Sequence, residues 1–301
     1  MRAARRIPAF LLVSASAALL GCTVGPDFER PAAPAVMRYT EQALPPETVS
    51  ADIQGGDAQR FLDGADVPGQ WWTLFGSDAL NQLVELALKG NPDIEAAQAS
   101  LRVARENYLA TAGGLQPQVS ASGGVQRQRA ITGSASPQLD EGDTLDLFTA
   151  SVDVSYAVDA FGGLRRELEA QGAVEETTRF ELEATYLSLI SNVVITAIRQ
   201  ASLRAQIASQ LDIINAQQQQ LDLLNQQFEL GAVARGDVLQ QQAQLAQTQA
   251  TLPPLQRDVE QTRNQLALLL GRFPAEGQIP TIELTELTLP TELPLSVPSK
   301  L

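Results

Sequence analysis

The chain has one thiol, Cys22, directly after Leu19, Leu20 and Gly21. A single cysteine cannot close an intramolecular disulfide. With no histidine present, neither an imidazole base nor a histidine metal site is possible. The other candidates for chemistry are carboxylates. Glu175 with Glu176, and Glu181 with Glu183, fall on a helical stretch and read as solvated charges, without a clustered partner or a glycine-rich phosphate loop. No enzyme activity, metal or cofactor is therefore expected. Lys and Arg number 21 against 35 Asp and Glu, a net charge of -14. So acidic a chain lacks the basic face that nucleic acid requires.

Stepping along the chain from the thiol, Arg2, Arg5 and Arg6 form a positive start and residues 7–20 a short apolar stretch. That stretch is shorter than the about 20 residues a membrane-spanning helix needs, so residues 1–21 read as a secretory signal. Leu19-Leu20-Gly21-Cys22 resembles a bacterial lipobox. The resemblance implies cleavage before Cys22 and acylation of that residue, and Thr23, which is not an acid, implies sorting to the outer membrane. The competing reading is a thiol discarded with the signal or buried as a small hydrophobe. No later stretch reads as apolar enough to span a membrane as a helix.

Residues 22–76 are rich in Pro, Ala, Gly and acids and read as an extended, lipid-anchored arm. It ends in Trp71, Trp72, Leu74 and Phe75, a packing anchor. Ser77 is a fitting N-cap for a helix with an apolar face of Leu80, Leu83, Val84 and Ala87, broken at Gly90-Asn91-Pro92. A second helix follows to about Ala112. Between residues 117 and 161 the period changes to two. Val119, Ala121, Gly123 and Val125 alternate with polar residues, and then Phe148, Ala150, Val152, Val154, Tyr156 and Val158 alternate with Thr149, Ser151, Asp153, Ser155 and Asp159. A loop near residues 132–143 joins the two. Each run approaches or exceeds the about 9 to 11 residues that cross a bilayer as a tilted strand. A soluble hairpin packed on helices would alternate in the same way.

Residues 163–230 then read as one helix on the order of 100 Å long, with Tyr186, Val193, Gln200, Ile207, Ile214, Leu221 and Phe228 recurring every seventh residue. A tip at residues 231–236 leads to a returning helix capped by Asp237 and running to about Leu270. So short a turn forces the pair to pack antiparallel. Pro253 and Pro254 must kink or interrupt the second helix. The glutamine-rich runs keep helical spacing of Leu and Ile and are helix faces turned to water. Pro274, Pro280, Pro290, Pro294 and Pro298 mark residues 272–301 as an extended linker that cannot be helical.

An open hairpin cannot sit alone in lipid, because its edges would leave backbone groups unpaired. Several motifs then carry a resemblance across nearly the whole chain from Cys22 onward. They are Cys22-Thr23-Val24-Gly25-Pro26-Asp27-Phe28-Glu29-Arg30-Pro31, Trp72 with Phe75-Gly76, Asn91-Pro92-Asp93, Asp159-Ala160-Phe161-Gly162-Gly163-Leu164-Arg165-Arg166, and Gly236-Asp237-Val238-Leu239 leading to Leu268-Leu269-Leu270-Gly271. In this order they resemble the TolC-like outer-membrane factors of the NodT type, the exit ducts of tripartite efflux pumps.

The resemblance implies a mostly α fold with a membrane β-hairpin. In that family an α-helical tunnel joins an outer-membrane β-barrel, assembled as a homotrimer from chains of two repeats. It implies a passive duct for small molecules or cations, extending into the periplasm and working with a periplasmic adaptor and an inner-membrane pump. Phe148, Val152, Val154, Tyr156 and Val158 would face outer-membrane lipid, and Asp153 and Asp159 the lumen. The tip with Gly231, Arg235, Gly236 and Asp237 would meet the adaptor, although turn and cap chemistry asks for the same residue types. Arg165 and Arg166 read as solvated charges at a helix start.

Residues 77–271 supply one repeat, with the helical hairpin at 163–270, and the last residues resemble the linker before a second. A product truncated after the first repeat is expected; six copies of a half-unit closing twelve strands is the other option. The rival function is a structural periplasmic coiled-coil lipoprotein without channel activity. The transported compound is not legible.

Overall fold

The computed structural model describes residues 24–29, 31–33, 35–36, 40–53, 55–129, 144–276 and 279–296. The signal, Cys22, the loop at 132–143 and Pro298 lie outside the described residues. Two compact units are formed, residues 1–28 with 99–180, and residues 29–98 with 181–301.

In the second unit, a 3-10 turn at Trp71–Phe75 precedes helix α1, Asp78–Gly90, and the start of α2, Pro92–Gly113. Ser77 caps α1 as its residue type suggests: its Oγ accepts from the N–H of Leu80 at 3.2 Å. Leu80, Leu83, Val84 and Ala87 are buried, one face of a 3.6-residue period. Asn91 then does three jobs. Its N–H ends α1 on the carbonyl of Ala87 at 2.9 Å, and its Oδ1 accepts from Asp93 N–H at 2.8 Å to open α2. Its Nδ2 donates to the carbonyl of Leu269 at 3.0 Å, satisfying an acceptor at another helix end.

Helix α3 spans Gly163–Glu229, followed by α4, Arg235–Ala250, and α5, Leu252–Leu269. Helices α3 and α4 run antiparallel, as two hydrogen bonds show. Gln241 Nε2 donates to Gln217 O at 3.3 Å, and further from the tip Gln210 Nε2 donates to Thr248 O at 3.2 Å. Leu221, Val238 and Leu245 pack together near the tip. Of the heptad residues, Val193, Gln200 and Leu221 are buried, while Phe228 near the tip is exposed. The helix breaks at Thr251, and Pro253 and Pro254 fall in the first turn of α5, where amide donors have no helical partner to lose. By composition and length part of α3 is apolar enough to cross a membrane, contrary to the sequence reading. Leu189, Ile190, Val193, Val194 and Ala197 instead bury that face against Leu80, Leu83, Leu266 and Leu270. Trp72 joins this core and meets Trp71 edge to face at 6.3 Å.

The arm and the tail hold more structure than their composition suggests. Strand β1, Arg60–Asp63, pairs in parallel with the last strand, Glu292–Leu295, with Arg60 opposite Glu292 and Asp63 opposite Leu295. Arg60 and Glu292 form an ion pair, and Gln59 Nε2 donates to Pro290 O at 2.7 Å. A 3-10 turn at Leu284–Glu286 also fits between prolines. Four-residue strands, one containing Pro294, leave no periodic signal.

The first unit holds the hairpin, β2 at Gln118–Arg129 and β3 at Thr144–Ser155, antiparallel throughout. With these named, the strand at Glu292–Leu295 is β4. Strand β3 starts four residues before Phe148. The apolar parity switches between Leu147 and Phe148, and that switch hides the earlier residues from a period-two reading.

Candidate functional site

The register of β2 on β3 aligns the apolar positions of the two strands. Val119 lies opposite Val154, Ala121 opposite Val152, Gly123 opposite Ala150 and Val125 opposite Phe148. One face of the hairpin is thus apolar over four consecutive same-face pairs, and it is open: Val119, Val125, Phe148, Val152 and Val154 are all exposed. Tyr156 and Val158 follow the end of β3 and are also exposed. The next pair on this face is ionic, Arg127 Nε standing 3.5 Å from Asp146. The other face carries Ser120 opposite Asp153 and Ser122 opposite Ser151. The two serine hydroxyls are 2.8 Å apart, and Ser151 Oγ donates to Asp153 at 3.1 Å. An apolar face against a hydroxyl and carboxylate face is the division a wall between lipid and water requires.

Asp159, expected to share the polar face, has a different local task. Its carboxylate accepts from Leu164 N–H at 3.3 Å and Arg165 N–H at 3.1 Å. A negative charge thereby sits on the positive end of α3. The side chain is only 11% exposed. Arg165 lies 3.9 Å from it. Arg166 is not the solvated charge its position suggests: it reaches Asp27 at 2.6 Å and Glu169 at 2.7 Å. Hydrogen bonding to Asp27, then to Glu169, raises its pKa further above the ordinary arginine value.

At the tip, Gly231 takes φ +75. Its N–H donates to Phe228 O at 2.9 Å, and Ala232 N–H donates to Gln227 O at 2.8 Å, a Schellman ending for α3. Asp237 is not the N-cap residue. It stands in the third position of α4, and its carboxylate accepts from Ala234 N–H at 3.0 Å, the acidic half of a capping box. Gly236 has neither reason to be glycine. Its φ is not positive, and a Cβ there would meet nothing within 4 Å. Arg235 is exposed beside it. The hydrogen bonds at Asp159, the clasp on Arg166 and the ionic end of the apolar face escape sequence reasoning. Only the acid-to-helix-start spacing at Asp159 left a trace.

These features define a two-stranded hairpin with one uncovered apolar face and, in the other unit, a pair of long antiparallel helices. The family model described as outer membrane efflux protein matches residues 83–272, and the chain belongs to that family. Among its relatives, the pyoverdine export outer membrane protein OpmQ of Pseudomonas putida KT2440 is 30% identical over 242 residues, 79% of this chain and 51% of that protein. The cation efflux system protein CusC of Escherichia coli O6:H1 is 26% identical over 94% of this chain and 57% of its own length. The solved outer-membrane channel OprN superposes with a TM-score of 0.73 at 28% identity, covering 93% of this chain and 58% of that one. The fold is thus that of a TolC-like channel repeat, and the chain spans about half the length of the curated relatives it matches.

Proposed function

We propose that this chain forms wall and duct of a passive outer-membrane efflux channel that exports small molecules or cations, without catalysis. Residues 1–21 act as signal, Cys22 as lipid anchor and residues 22–76 as arm. The repeat at 77–271 supplies the barrel strands and a helical duct in the periplasm, and residues 272–301 are the linker that follows it, its described part folded back on the helices. The β2–β3 register supports this reading best, because it gathers Val119, Val125, Phe148, Val152 and Val154 on one uncovered face. Lipid satisfies such a face; the hairpin's open edges call for strands of further subunits or repeats, as in a homotrimer. A structural coiled-coil lipoprotein accounts for the helices and leaves that face without an occupant. The relatives' names range from pyoverdine export to cation efflux, which fits a duct whose cargo is chosen by an inner-membrane pump.

The tip at Gly231, Arg235, Gly236 and Asp237 is assigned to the periplasmic adaptor. Gly231 and Asp237 have structural explanations; Gly236 is explained by the close approach of a partner, since glycine in a helix otherwise costs about 1 kcal/mol relative to alanine. Asp153 and Asp159 are assigned to the water-filled lumen, Asp159 also capping α3.

Single cysteines at Phe148, Val152 and Val154, and at Ser151 and Asp153, labelled in outer-membrane vesicles with a membrane-impermeant maleimide, test the wall. Protection of the first three and reaction of the other two is expected. Equal reaction on both faces would overturn the reading.

A further inference from the structure

The hairpin reverses its polarity once, and on both faces at the same step. As far as the pair of Val125 with Phe148, one face is apolar and the other carries hydroxyls and the Asp153 carboxylate. At the next pair on the apolar face Arg127 stands opposite Asp146, its Nε 3.5 Å from the carboxylate. On the opposite face the same step brings Leu147 opposite Gln126, and then Leu145 opposite Gln128. Strand β2 keeps this face polar through both glutamines, so the leucines come from β3 alone. They stand about 7 Å apart along the strand, and both are exposed, at 37% and 41%. Because β2 follows α2 and β3 leads into α3, this end of the hairpin is the one away from the helices, the outer end of the wall. The charged pair marks where lipid contact stops, since charge is costly at the midplane of a bilayer and tolerated at its interface. Beyond that limit charge on the outer face is expected. Leucine on the inner face is not, because lipid cannot reach it and the same face carries Ser120, Ser122 and Asp153 further in.

We infer that Leu145 and Leu147 form an apolar collar inside the outer mouth of the duct, a specificity-determining surface that favours weakly hydrated organic molecules over hydrated metal ions. This rests on the reading above, in which the hairpin is a wall with lipid on one side and water on the other. Carried by each such hairpin of a closed barrel, the leucines reduce the wettable part of the mouth. A hydrated ion gives up water contacts at an apolar constriction. A molecule with apolar surface instead gains by covering the leucine side chains. Of the two cargo classes considered above, the collar selects small organic molecules.

The full chain is inserted into planar bilayers, and the permeability of tetrapropylammonium, an apolar organic cation, relative to potassium is taken from reversal potentials. Exchanging both leucines, Leu145→Ser with Leu147→Ser, is expected to lower that ratio at least about twofold and to raise the potassium conductance. Each serine alone should give part of the effect, which keeps the comparison open should the double variant fail to insert. Leu145→Met with Leu147→Met preserves the apolar surface and should hold the parental ratio. Thr149→Ser, further in on the same face, should leave it unchanged. Resistance to carbonate extraction, equal in all variants compared, separates a change of lumen from a defect of folding. Equal ratios in the parent and the serine variants overturn the collar and leave the wall standing. A parent chain that opens no conductance overturns both.

Discussion

A Cβ on Gly271 would lie 1.9 Å from the carbonyl oxygen of Gly90. The end of α5 and the end of α1 therefore cross with backbone on backbone, and Asn91 locks the crossing through the carbonyl of Leu269 at 3.0 Å. Gly271 also takes φ +67. Both the space and the backbone conformation exclude a side chain. Gly271→Ala is expected to cost on the order of 3 kcal/mol. At Gly231, where φ is +75 and the space around a Cβ is open, alanine should cost only about 1 kcal/mol. Thermal melts followed by circular dichroism compare the two, and equal losses would show that the close crossing is unimportant.

Leu266 and Leu268 are near neighbours on α5 with opposite surroundings, the first fully buried and the second 73% exposed. Leu266→Ala is expected to destabilise by about 2–5 kcal/mol through lost burial and a cavity. Leu268→Ala should fall within about 0.5 kcal/mol of the parent in the isolated chain. Denaturant midpoints measure both.

Gly236→Ala should act on stability and on binding in opposite directions. The helix gains a few tenths to about 1 kcal/mol, so the melting temperature rises slightly. Affinity for the periplasmic adaptor, read by surface-immobilised binding, should fall by about tenfold or more as the added methyl meets the partner. Unchanged affinity would remove Gly236 from the contact.

Arginine introduced on either face of β3 distinguishes lipid from water. Val152→Arg is expected to cost about 2–4 kcal/mol of insertion free energy near the membrane midplane. Ser151→Arg should be tolerated. The measurement is the fraction of protein resistant to extraction from vesicles by carbonate.

Arg204 and Glu283 tie α3 to the tail at 2.7 Å, with about a third and a half of their side chains exposed. Solvent screening limits that pair to about 0.2–1 kcal/mol. Arg204→Gln should lower stability by no more than this, and the difference should vanish near 1 M salt.

The local devices were legible because each is written within a few residues. Ser77 as cap, the Asn91-Pro92 break, the heptad seam through Val193 and Leu221, and the interruption before Pro253 all depend on short-range chemistry. The apolar residues of the candidate wall were legible through their period. Their partners were not, since register depends on the opposite strand, and the parity switch at Leu147 concealed where β3 starts. Arg166 and Asp27 look like ordinary surface charges until folding brings them together from 139 positions apart. The capping role of Asp159 was hidden for a related reason: its alternation with Val158 reads as strand, whereas the turn at Gly162 brings its carboxylate onto the next helix.

The pairing of β1 with β4 fastens residues 232 positions apart, through Arg60 and Glu292. Closing so long a loop carries an entropic cost that falls when the helices in between have already formed. Until Glu292–Leu295 docks, that side of β1 is an unpaired edge, open to the wrong neighbour. The clasp therefore favours molecules whose helices have already brought the arm and the tail near each other.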